Sequence, residues 1–151
     1  MNELERIAGQ LQEVYEGHPW HGPSVRGLLQ EVSSAQAAKR PVPAAHSIWE
    51  LVLHLTSWQR AAAGALSGAA MPALPWRDDW PAVADESEQE WQQAVSALAD
   101  SHHQLIAAIR QFSPERLDEK VGGRKYSYYF LLHGIVQHAA YHAGQIAILK
   151  K

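Results

Sequence analysis

Four stretches of this chain repeat apolar residues every three to four positions, and none alternates apolar with polar as a half-buried strand does. That pattern restricts the fold to packed helices. The first stretch runs from about Asn2 to Glu16, with Leu4, Ile7, Leu11 and Val14 in one row. GHPWHGPS (17–24) breaks it, and Ser24 to Ala38 predicts one or two short helices ended by KRPVP. The second long helix is predicted from His46 or Ser47 to about Leu66, along Ser47, Leu51, His54, Trp58, Ala61 and Ala65. The third runs from about Asp85 to Phe112, along Trp91, Val95, Leu98, His102, Leu105 and Ile109. SPERLDEKVGGRKY reads as a turn, a short helical piece and a Gly-Gly loop. The fourth helix starts near Ser127, a suitable N-cap, and reaches about Leu149 along Leu131, Ile135, His138, His142, Gln145 and Leu149. These elements predict an all-α four-helix bundle, a single domain over residues 1–151.

The second and third helices are joined by SGAAMPALPWRDDWPAVA, 18 residues with three prolines and no helical pattern. Connections of that size are uncommon in compact domains and tend to be functional. Other function classes fall away on composition. Thirteen Lys and Arg against 16 Asp and Glu give a net charge of −3, which argues against nucleic acid or an anionic membrane as the main partner. No apolar run approaches the roughly 20 residues of a membrane span, and MNELERIAGQ lacks a signal-peptide pattern. The chain has no cysteine, hence no disulfide, thiolate ligand or nucleophilic thiol of its own. A cytoplasmic location is the expectation.

Nine histidines are the informative excess. Chance alone gives about 0.5 pairs four apart at this frequency, so the pair His138 and His142 carries little weight by spacing. Their setting carries more. Residues four apart stack on one helix face, which places both on the apolar row of Leu131, Ile135 and Leu149. His54 falls likewise between Leu51 and Trp58. An unpaired nitrogen buried on such a row costs about 1–3 kcal/mol, so three need a shared partner, and a divalent cation is one. The bland alternative is three part-buried histidines satisfied by backbone or water.

The heights of the three rings test the idea. His54 lies about 10 Å from the start of its helix, and the midpoint of His138 and His142 about 13 Å from the end of theirs. Antiparallel second and fourth helices bring the rings to one level; parallel ones separate them by roughly 10 Å. The metal reading therefore requires the long connection to make the second and third helices parallel. Three imidazoles suit zinc, nickel or iron alike and leave a coordination position open.

HSIWELVLHLTSW (46–58) and GIVQHAAYHAGQIAILKK (134–151) resemble the two signature segments of the DinB-like superfamily of damage-inducible metalloproteins, and WHGPS (20–24) resembles an N-terminal element of one branch. The resemblance implies a four-helix bundle of up-down-down-up order with a long crossover between helices two and three. It implies a divalent metal on His54, His138 and His142, and frequent homodimers. Characterised relatives include thiol S-transferases that use bacillithiol or mycothiol. By that analogy the chain is expected to be a metal-dependent transferase activating a low-molecular-weight thiol, which must come from outside a chain without cysteine. A metal-dependent hydrolase using a bound hydroxide, and a non-catalytic metal-binding stress or dimerisation module, are the alternatives.

Other residues carry narrower expectations. Glu50, one turn before His54, is a candidate to orient a ligand, or simply a first-turn carboxylate favoured by the helix dipole. Gln145 is a candidate partner of a bound water or a facing backbone group. His102 could approach the site, but a core-edge histidine bonded to a neighbour is the favoured reading. His18, His21 and His103 are expected at the surface, and His133 faces away from the paired histidines. Trp49, Trp58 and Trp91 read as core or interface, while Trp76 and Trp80 could cover the site. Tyr141 reads as packing, and Gly134 and Gly144 as permitting close helix approach.

Overall fold

The computed structural model describes residues 1–151. Its α-helices are α1 (Glu3–Glu16), α2 (Val25–Leu29), α3 (Ser34–Ala38), α4 (Ile48–Leu66), α5 (Glu88–Gln111) and α6 (Tyr128–Leu149), with a 3-10 turn at Pro114–Arg116. There is no strand, only an isolated antiparallel bridge between Lys120 and Ser127. The four long helices expected from the periodicity are α1, α4, α5 and α6.

Each α-helix begins with the same chemistry. Asn2, Ser24, Ser33, Ser47, Ser87 and Ser127 each accept the backbone N–H three residues on, satisfying a donor that has no partner within the helix. The third long helix starts at Glu88, later than the expected Asp85. The Asp85 carboxylate accepts the Ser87 amide at 2.9 Å, which holds the chain in a turn and leaves Ser87 as the cap.

Side-chain contacts fix the direction of every long helix. Tyr15 stacks on His102 while Arg110 reaches Glu5 and Gln12, so α1 and α5 are antiparallel. Trp49 meets Trp91, and Gln59 accepts the Ser101 hydroxyl at 2.7 Å, so α4 and α5 are parallel. The Tyr128 hydroxyl at the start of α6 donates to Ala65 near the end of α4, so those two are antiparallel. The order is up-down-down-up. One apolar core joins the helices, with Leu11, Leu55, Trp91, Leu105 and Ile146 among its fully buried members.

Parallel α4 and α5 force residues 67–87 to return the length of α4, about 28 Å for its 19 residues. The Met71 amide anchors this strap on the Gly122 carbonyl at 2.9 Å. Gly123, at φ 78°, turns the chain closely against the Met71 carbonyl, where a side chain would collide. Farther along, the strap carries Asp79 and Trp80 across the α4–α6 seam.

Candidate metal centre

The rings of His54, His138 and His142 meet on that seam. His54 comes from the second turn of α4, and His138 and His142 from successive turns of α6. His138 Nε2 lies 2.9 Å from His54 Nε2 and 3.0 Å from His142 Nε2. The level match required of antiparallel helices is therefore met.

Neighbouring groups determine which nitrogens carry protons. The His54 Nδ1–H donates to the backbone carbonyl of Asp79 at 2.6 Å, and the Asp79 carboxylate lies 3.2 Å from the same nitrogen. The His142 Nδ1–H donates to Gln145 Oε1 at 2.5 Å. With Nδ1 protonated, a neutral imidazole presents a lone pair at Nε2. Two such lone pairs face His138 Nε2, whose single possible proton can serve only one of them. Protein groups alone leave this arrangement short of donors.

Burial lowers the pKa of all three histidines. His138 is pushed down to about 3, with the charges of His142 and His54 adding to the effect of burial. His54 and His142 are lowered for the same first reason, against the opposing pull of Asp79 and Gln145 respectively. Rings held neutral with converging lone pairs are what a divalent cation requires of imidazole ligands. Tetrahedral coordination at about 2.0–2.1 Å places ligand nitrogens about 3.3 Å apart, a few tenths of an ångström from the two spacings that His138 makes, and all three nitrogens lie within 4.8 Å of one another. The donor set fits a divalent metal.

Aromatic rings close the outer side. Trp80 lies flat on His54, ring centres 3.7 Å apart and 6° from parallel. His46 stacks on the opposite face of Trp80 at 3.5 Å, making a three-ring sandwich. Trp58 donates its indole N–H to the Asp79 carboxylate at 2.7 Å, and Trp76 packs edge-on against Trp58. Asp79 is thus held from two sides, with its carbonyl directed at His54.

Several expectations shift. Glu50 does not face His54. Its carboxylate accepts the Ser47 amide in a capping box and pairs with Arg40, with His46 at 3.7 Å. The group behind His54 is Asp79, which periodicity had no means of selecting. Gln145 bonds the His142 ring itself rather than a water or backbone group. His102 is fully buried but packs against Tyr15 at 4.1 Å, away from the trio, and neither ring nitrogen has a hydrogen-bond partner. Burial pushes its pKa down to about 4. It clusters with Glu16 and His103, but Glu16 is already paired with Arg26. Tyr141 is exposed, edge-on to His142, rather than packed. Gly134 and Gly144 admit no close helix approach, because a Cβ at either would meet nothing within 4 Å. His18, His21 and His103 are at the surface as expected, and His133 turns away to Glu3.

No curated protein and no solved structure matches the chain. A family model described as the DinB superfamily matches residues 20–146, a span that begins at Trp20 and includes all three histidines. No helix is long and apolar enough to cross a membrane. With most of its length matched, a four-helix bundle of up-down-down-up order and a three-histidine cluster on its α4–α6 seam, the chain belongs to the DinB superfamily.

Proposed function

We propose that this protein is a metal-dependent transferase that activates a low-molecular-weight thiol and delivers its sulfur to an electrophile. The observation that carries the reading is the convergence of three neutral imidazoles through Nε2, two of them fixed in tautomer by Asp79 and Gln145. Three protein nitrogens leave a position for an exchangeable ligand, the arrangement of a catalytic rather than a structural site. A bound zinc, nickel or iron ion would supply Lewis acidity, favouring the ionised form of a thiol beside it. The chain itself holds the rings in register, excludes water from one side with Trp80, and fixes the Nδ1 protons.

Asp79 is bound to Trp58 and His54, and Glu50 to Arg40 and Ser47, so ionising the nucleophile, thiol or water, would fall to the metal itself. The choice of a thiol rests on analogy with the superfamily, and hydrolysis through a bound hydroxide is the second reading. The test is to incubate zinc-loaded protein with a panel of electrophiles, with and without low-molecular-weight thiols. Thiol-dependent turnover supports the reading; turnover without thiol replaces it with hydrolysis.

Self-association belongs to the same proposal. Phe130, Tyr141 and Ile148 are exposed on one face of α6, an apolar stripe suited to a second copy of the chain. Sedimentation of wild type against Tyr141→Lys tests it, with dissociation expected in the variant.

A further inference from the structure

A cavity of about 310 Å³ opens beside the trio, with His54 and His138 at one end. Its floor is Leu131 and Ile135, both buried, and its walls are the rings of Trp58, Tyr126 and Phe130. Tyr126 and Phe130 pack together at 5.1 Å, and Phe130 is 63% exposed, which places it at the mouth. The volume is about twice the ~150 Å³ that holds a benzene molecule in an engineered protein cavity. It therefore has room for one or two rings. No lysine or arginine lines it, and its one acidic side chain is Asp79. Without a metal on the trio, an anion would find no cationic partner on these walls. By contrast, the hollow of about 620 Å³ along Glu16–Gln30 has no tryptophan, tyrosine, phenylalanine or branched aliphatic side chain on its walls.

Gly134 completes the cavity from the second turn of α6. Glycine is the least favourable helix-interior residue apart from proline. Close packing does not explain its presence, since a Cβ would meet open space. It lies one turn before His138, on the face that carries the trio. What its missing side chain does provide is room next to His138.

We infer that this cavity is the binding site for the ring-bearing, uncharged part of the substrate, and that Gly134 sets the size of ring admitted. The inference deepens the transferase proposal and rests on it in one respect: the trio beside the cavity is taken as the reaction centre. The apolar walls bury the ring, the stacked aromatics favour a flat one, and the end formed by His54 and His138 brings its reactive edge to the trio.

The test uses the full chain, with and without zinc, and two probes of the same ring size: neutral 2-naphthol and anionic 2-naphthoate. Binding is read from methyl NMR shifts of Leu131 and Ile135 in wild type, Gly134→Ala and Gly134→Leu. Metal-free wild type should bind 2-naphthol at these methyls and the carboxylate at least tenfold more weakly. Gly134→Leu should lose at least tenfold in naphthol affinity and Gly134→Ala a smaller factor, both with an unchanged or higher melting temperature. If 2-naphthol leaves these methyls unmoved, if the carboxylate binds the metal-free protein as tightly, or if Gly134→Leu binds like wild type, the inference falls. If Gly134→Leu does not fold, the Gly134→Ala loss decides. Failure to take up zinc together with Gly134-dependent naphthol binding would remove the transferase reading and leave the cavity assignment. Zinc uptake without naphthol binding would do the reverse.

Discussion

Asp79 stands behind His54, with its backbone carbonyl 2.6 Å and its carboxylate 3.2 Å from the same ring nitrogen, Nδ1. A residue in an irregular strap thereby sets the tautomer of a residue on α4. The carboxylate also accepts the Trp58 indole N–H, so it positions the carbonyl as well as adding charge beside the ring. Partners behind metal-ligating histidines typically contribute about 10–100-fold in metal affinity. Asp79→Ala should lower zinc affinity by that order while the melting temperature of the metal-free protein changes little, because the side chain is part-exposed. Competition with a chromophoric chelator measures it, and wild-type affinity in the variant would show that the contact is incidental.

Much of this arrangement was readable from the residues alone. Helix number followed from a 3.6-residue period, and a height argument tied the meeting of His54, His138 and His142 to antiparallel second and fourth helices, because helical rise converts sequence position into distance. The up-down-down-up order came from the family resemblance. The strap obeys no period, so WRDDW announced its aromatics but not that an Asp between them would turn its carbonyl to His54. For Glu50 the two readings are evenly balanced in the sequence, and the local one holds: its spacing from Ser47 is that of a capping box, which engages the carboxylate at the helix start. Gly134 misled because a helix glycine suggests a close neighbour, whereas here it faces open space.

Trp80 covers His54 on the strap side and is backed by His46. The surroundings of a metal site govern solvent access to it. Trp80→Ala should speed zinc release to excess chelator several-fold in stopped-flow measurements. His46→Ala, which leaves Trp80 in place, should change the rate less. Equal rates in wild type and Trp80→Ala would mean that the stack does not gate the site.

His102 is expected to make the fold acid-sensitive. Its folded pKa of about 4 lies below the ordinary value of about 6.5, because burial disfavours the charged ring. Between those values the unfolded chain binds the extra proton and the folded chain does not. Its contribution is therefore constant above about pH 6.5 and turns progressively against the fold as pH falls to about 4, by up to about 3 kcal/mol. His102→Phe keeps a ring against Tyr15 and removes two nitrogens without partners. Urea unfolding from pH 7.5 to 4.5 should show a shallower loss of stability in the variant. Parallel curves would contradict this account.

A cation shared by His54, His138 and His142 is tested most directly by zinc stoichiometry. Tag-free protein is equilibrated with zinc, freed of excess metal, and assayed by elemental analysis alongside folded His54→Ala, His138→Ala and His142→Ala variants. One zinc per chain is predicted for wild type, with loss of tight binding in each variant. A wild type that retains no zinc, or variants that each still hold a full equivalent, would contradict the claim.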